Sequence, residues 1–133
     1  MTLLRVPTQL PDDLESLVRV TIGCCIAVHR ELGPGLLERV YPRAIAMELG
    51  ERGIRYSTEK AIPIRYREII ICHQRIDLMI DNRLVLEVKS VERLGPIHVA
   101  QVINYLRVTG ARVGLLVNFN VPVLKQGIRR VVL

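Results

Sequence analysis

Apolar positions three and four apart open the pattern of the chain. Leu14, Leu17, Val18, Thr21, Ile22, Cys25, Val28 and Leu32 fall along one side of a helix. Asp12, with Glu15 three positions on, predicts a capping box at its start, and Gly33-Pro34-Gly35 predicts its end. A second helical pattern runs from Leu36 to about Gly50 through Leu37, Val40, Tyr41, Ala44, Ile45 and Leu49. Pro42 inside it has no N–H for the Glu38 carbonyl, so a kink at residues 38–42 or an irregular first turn is expected, with Gly50 or Gly53 closing the helix.

From Ile54 the period shortens to that of strands. Residues 62–66 alternate, with Pro63 suited to an edge or a strand start, and residues 68–73 and 75–80 are further apolar runs. Asp81-Asn82 is a hairpin turn signal tolerant of positive φ, and residues 83–89 form the returning strand. Gly95-Pro96 opens a third helix, with Val99, Val102, Ile103 and Leu106 as its buried stripe and Gly110 as its stop. Residues 112–119 read as a strand buried in a sheet interior, and residues 121–133 as a short closing segment. The order α-α-β-β-β-α-β is that of an α/β layered domain with a mixed sheet.

Length and composition narrow the class. At 133 residues the chain is expected to be one domain, residues 1–133, with no internal repeat or linker. Half of it is apolar and 24% charged, which excludes a disordered chain. Its size lets it bury roughly two-thirds of the unfolded surface without disulfides or a structural metal. No apolar run approaches the roughly 18 residues of a membrane span, and residues 1–13 lack the layout of an export signal. An odd cysteine count, with Cys24 and Cys25 adjacent, fits a reducing compartment, and Cys25 and Cys72 are expected in the core. A soluble cytoplasmic protein is the expectation.

The formal net charge of +6 fits a polyanionic partner. One Phe, four Tyr and no Trp argue against base stacking as the dominant mode of any nucleic-acid binding. No phosphate-cradling Gly-rich loop or nucleophile elbow is present, and the lack of any Cys-x-x-Cys or His-x-x-x-His pair argues against a structural zinc.

Candidate chemistry concentrates in residues 75–89. Leu84, Leu86 and Val88 face one side of their strand, while Val85, Glu87 and Lys89 face the other. Alternate residues lie about 6.5–7 Å apart along a strand, close enough for the carboxylate and the ammonium to share a site. The hairpin brings Asp77 back beside them. Buried carboxylates are costly unless paired or holding a metal, so such a cluster marks either a site or a Glu87–Lys89 ion pair on a solvated sheet edge. His98, Gln101 and Tyr105 share a helix face opposite the apolar stripe, either solvated or lying over that site. Glu38, early in its helix, is either a carboxylate on the positive helix end or part of the same cluster.

The runs Glu31-Leu-Gly-Pro-Gly35-Leu-Leu-Glu38-Arg-Val-Tyr41, Asp77, Glu87-Val-Lys89 and Gln101-Val-Ile-Asn-Tyr105 resemble, in order and spacing, the GxxExxY family of the PD-(D/E)XK nuclease superfamily, over residues 28–131. The resemblance implies a restriction-endonuclease-like core, a mixed β-sheet flanked by α-helices. It implies metal-dependent hydrolysis of phosphodiester bonds in nucleic acid, DNA in the first place, with Mg²⁺ or Mn²⁺. Asp77, Glu87 and Glu38 would be the metal-side carboxylates, Lys89 the active-site lysine, and Gln101 and Tyr105 supporting or substrate-touching groups. Pro42 departs from the family pattern and bears on the pose of Glu38.

Hard divalent cations take oxygen ligands, and an ammonium beside a bound water favours hydroxide and offsets developing charge. Arg65, Arg67, Arg75, Arg93, Arg129 and Arg130 are candidates for sequence-independent phosphate contacts. The alternative is a catalytically idle nuclease-fold module for nucleic-acid binding or assembly; a purely structural interaction protein is the third reading. Exposed strand edges leave room for a homodimer.

Overall fold

The computed structural model describes residues 10–133; most of the stretch 1–13 weighed as an export signal lies outside them. Helix α1, Asp12–Leu32, starts one residue earlier than a capping box at Asp12 requires. Its N-cap is Pro11, whose carbonyl accepts from Leu14 and Glu15 N–H. Asp12, Asp13 and Glu15 lie within the first turn, where the helix dipole favours acids, and the last two turn outward to Arg83 and Arg130. Gly33, at φ 68°, ends the helix.

Helix α2 spans Val40–Glu51, not Leu36 onward. Glu38 and Arg39 form a turn ahead of it, and the Glu38 carbonyl accepts from Tyr41 N–H at 3.3 Å. Pro42 then falls at the third helical position, where backbone N–H groups lack an intrahelical partner in any case. The irregular first turn is thus the form the proline takes, and it places Glu38 outside the helix. Gly53, at φ 69°, closes the far end, with Ile54 N–H bonded to the Leu49 carbonyl.

Strands β1 (Tyr56–Tyr66), β2 (Ile69–Ile80) and β3 (Leu84–Lys89) follow, then α3 (Pro96–Thr109), β4 (Val113–Asn118), a 3₁₀ turn at Leu124–Gly127 and β5 (Ile128–Val132). They form one five-stranded sheet in the order β1-β2-β3-β4-β5, parallel between β3 and β4 and antiparallel elsewhere. The parallel pair needs a crossover, and α3 supplies it. The expected α/β class with a mixed sheet is therefore the observed one, and the closing segment is realised as the edge strand β5.

Side-chain alternation sorts the core into two layers. Leu84, Leu86 and Val88 pack with Leu115 and Val117 against α1 and α2. Val85 packs with Met79 and Leu116 against Val102, Tyr105 and Leu106 of α3. Tyr105 is therefore buried with the apolar stripe, because positions 102, 105 and 106 share one helical face. It does not lie on an opposite solvated face with His98, whose Nδ1 instead accepts from Gly95 N–H at 2.9 Å.

Strand β2 runs unbroken through Gln74, where the sequence suggests an interruption. Only Leu78, Met79 and Ile80 pair with β3, so the distal half of the β1–β2 hairpin projects without a third strand. Arg67 and Glu68, both at positive φ, turn its tip. Cys72 lies on this projecting part and is exposed, a correction to its expected place in the core; Cys24 and Cys25 are fully buried.

Candidate active site

The β2–β3 ladder ends at the pair Leu78–Leu86, and side chains take over where backbone pairing stops. Val88 N–H donates to Asp77 Oδ2 at 2.8 Å, and Asp77 N–H points back to Glu87 Oε1 at 3.5 Å. On the other side of β2, the β1 pairing steps from Thr58–Leu78 to Lys60–Ile76, passing over Asp77 and over Glu59, which sits at φ 50°. Ile76 packs on the α3 side of the sheet and Leu78 on the α1/α2 side, although residues two apart on a regular strand share a face. The strand is rotated about Asp77, which draws its carboxylate out of the pleat and into the gap beside β3.

Glu87 is 4% exposed, and its Oε2 lies 3.3 Å from Lys89 Nζ. Burial, with the Asp77 charge adding to it, pushes the Glu87 carboxyl up to about 7 against the opposing pull of Lys89. Burial also raises Asp77; the Val88 N–H opposes the rise, the nearby Glu38 carboxylate adds to it, and Lys89 lowers it. Two acids held above their ordinary range beside one ammonium are short of positive charge.

Glu38 comes from the turn before α2. Its Oε1 accepts from Ser90 N–H at 2.9 Å, and it borders the same cavity as Asp77. Tyr41 holds that turn in place. Fully buried, it stacks on Phe119 at 4.3 Å, while its hydroxyl donates to the Gly33 carbonyl at 2.8 Å and accepts from Leu36 N–H at 3.1 Å. Asn118, at the end of β4, secures the strap after Lys89: its side chain bonds both the N–H and the carbonyl of Val91.

Gln101 Nε2 donates to Tyr105 Oη at 2.9 Å, and Tyr105 Oη reaches the Arg75 carbonyl at 3.4 Å. Burial, then the Glu87 charge, raises the Tyr105 hydroxyl to about 12. Glu87 thus contacts both Asp77 and Lys89, Glu38 stands beside Asp77, and Gln101 and Tyr105 form a tier behind them. His98 is not part of this arrangement.

Three of the arginines named as phosphate candidates are engaged or placed elsewhere. Arg130 is tied to Glu15, Arg67 covers the Tyr66 ring, and Arg129 sits with Arg130 on β5, two strands from β3. The side chains to which the sequence reading gives no role at the site are Tyr41, Asn118, Arg39 and Arg43. The two arginines, four apart at the start of α2, border the cavity that ends on Asp77, a spacing visible in the sequence once α2 is known to pack there.

Among the described residues, no three or more His, Cys, Asp or Glu side chains are gathered so that they could together hold a metal ion, so Glu38 does not complete a three-carboxylate set with Asp77 and Glu87. A hard cation such as Mg²⁺ needs only one or two carboxylates, with water filling the rest of its shell. The crowded, desolvated pair Asp77 and Glu87 fits that requirement, with Glu38 alongside.

A family model of the PD-(D/E)XK nuclease superfamily matches residues 15–131, and the chain belongs to that superfamily. PD-(D/E)XK nucleases generally use divalent metals. No curated protein and no solved structure gives a significant match. Membership points to nuclease activity on a nucleic-acid substrate. Among the described residues, no helix is long and apolar enough to cross a membrane.

Proposed function

We propose that the protein is a Mg²⁺- or Mn²⁺-dependent nuclease of the GxxExxY branch that hydrolyses phosphodiester bonds in DNA. The observation that carries this reading is the meeting of Asp77, Glu87 and Lys89 in the gap where β2 and β3 part, with both carboxylates desolvated. A divalent cation held there supplies a Lewis acid for a phosphate oxygen and lowers the pKa of a water.

The chain's own groups do the rest. Asp77 and Glu87 provide hard oxygen donors, and the Val88 N–H fixes the orientation of Asp77. Glu38, held by Ser90 N–H, adds a carboxylate on the open side of Asp77. Lys89 presents an ammonium that favours hydroxide at the attacking position and offsets charge on the phosphate. Tyr105 and Gln101 brace β2 from behind and keep Glu87 in a dry setting. Gly35, Glu38 and Tyr41 of the motif have coherent tasks in this reading: a turn, a carboxylate and the anchor of that turn. The buried thiols of Cys24 and Cys25 suit a reducing, cytoplasmic setting.

The test is cleavage of end-labelled DNA with Mn²⁺, with a chelator control and the variants Asp77→Asn, Glu87→Gln and Lys89→Ala. Metal-dependent cutting lost in all three supports the reading. Cutting that persists in any purified variant refutes the assigned roles. Binding with no cutting in the unmodified protein favours the idle module.

A further inference from the structure

A groove of about 500 Å³ runs between α2 and β1 and ends on Asp77. Arg39 and Arg43 line it, and neither guanidinium has a hydrogen bond or an ion pair among the described residues. Arg52, Arg55, Arg83 and Arg130 each engage a carboxylate. Two cations left open on one wall, at the turn before α2 and in its first turns, suit an anionic ligand lying along the groove. The rest of the wall is mixed: Met47, 72% exposed, and Tyr56, 41% exposed, give an apolar and aromatic surface beside the cations, and Glu59, the acid on the β1 side, lies 3.8 Å from Arg75.

We propose that this groove takes an unpaired strand of nucleic acid, with Arg39 and Arg43 on its phosphates and one base against Tyr56, and leads it to Asp77. The inference rests on the nuclease reading of that site and specifies its substrate as single-stranded. Cations that track a backbone, next to an aromatic face that accepts a base, are the pairing by which single strands are held. The bases of a duplex are stacked inside it and present no face to Tyr56. Tyr56 needs to stack only one base, which is compatible with a chain poor in aromatics.

The experiment is fluorescence anisotropy with a short fluorescein-labelled oligodeoxythymidylate, in chelator so that no cutting occurs, over a range of salt. The double variant Arg39→Ala/Arg43→Ala is expected to bind at least tenfold more weakly, and the slope of log K against log salt to fall by about 1.4, or about 0.7 per phosphate contact on a single strand. Arg39→Lys/Arg43→Lys should restore most of that slope, which excludes misfolding as the cause. Tyr56→Ala should weaken binding about fivefold or more with the slope unchanged.

An unchanged slope in the double alanine variant overturns the inference. So does a hairpin duplex bound as tightly as the single strand. If the protein binds through the two arginines but never cuts with Mn²⁺, the nuclease reading falls and the groove stands. If it cuts, and the double alanine variant cuts with unchanged KM, the groove falls and the nuclease reading stands.

Discussion

The backbone N–H of Val88 donates to the carboxylate of Asp77 across 2.8 Å, at the point where β2 and β3 stop pairing through their main chains. This bond both satisfies a buried donor and aims an acid. Asp77→Asn keeps an acceptor of the same shape and removes one of two crowded charges. It is expected to be at least as stable as the parent at pH 8 while losing cleavage. Asp77→Ala leaves the Val88 N–H unpaired and should cost about 1–3 kcal/mol. Urea unfolding of both variants measures the difference.

Glu87 gives the metal-free protein an unusual pH dependence. Its carboxyl is raised to about 7 from the ordinary glutamate value near 4.5, so between these values the folded state binds more protons than the unfolded one. Stability must then fall as pH rises through that window, by about 3 kcal/mol in total. In chelator, unfolding free energy at pH 5 should exceed that at pH 8, and Glu87→Gln should flatten the dependence and be the more stable protein at pH 8. A parent curve that rises from pH 5 to 8 contradicts this.

Lys89 lowers the Glu87 carboxyl through a 3.3 Å contact. Lys89→Met removes that cation, so the upper edge of the window of falling stability should move to higher pH while its lower edge stays, and cleavage should be lost. The same unfolding series read in the variant gives the shift; a window that stays in place would show that the two groups are not coupled.

Mn²⁺ should raise the unfolding temperature of the parent at pH 8, because a dication bound only to the folded state stabilises it by mass action. Asp77→Asn should abolish that rise. Thermal scans with and without chelator read it, and equal rises in both proteins would place the ion elsewhere.

Much of this was legible in the pattern of residues. Asp81 and Asn82 do take positive φ, Gly95-Pro96 does open a helix, and the alternation of Leu84, Leu86 and Val88 against Val85 and Glu87 does divide the two sides of the sheet. Local chemistry decides such features. What escaped depends on partners distant in the chain. Cys72 and its apolar neighbours read as core because nothing local reveals that the hairpin outruns β3. Tyr105 read as polar because a hydroxyl hides how much ring a helix face can bury. The approach of Asp77 to Val88 follows from a strand rotation that no spacing rule contains.

Tyr41 offers the last measurement. Its hydroxyl grips the Gly33 carbonyl and the Leu36 N–H, and Glu38 touches the rest of the fold through Ser90 N–H. Tyr41→Phe keeps the stack on Phe119 and loses both bonds, at a cost of about 1–3 kcal/mol. Cleavage should decline more than this loss of stability alone explains, since the turn that presents Glu38 slackens; matched rates at a temperature where both proteins are fully folded decide the point.

Segment 33–38 is held at Gly33, at the Leu36 backbone and at Glu38 by a few hydrogen bonds, while the Leu36 and Leu37 side chains are open to water. Such a strap can loosen while the sheet beneath it stays whole. On warming, turnover should therefore fade several degrees before the circular dichroism signal does, so heat disarms the molecule ahead of melting it.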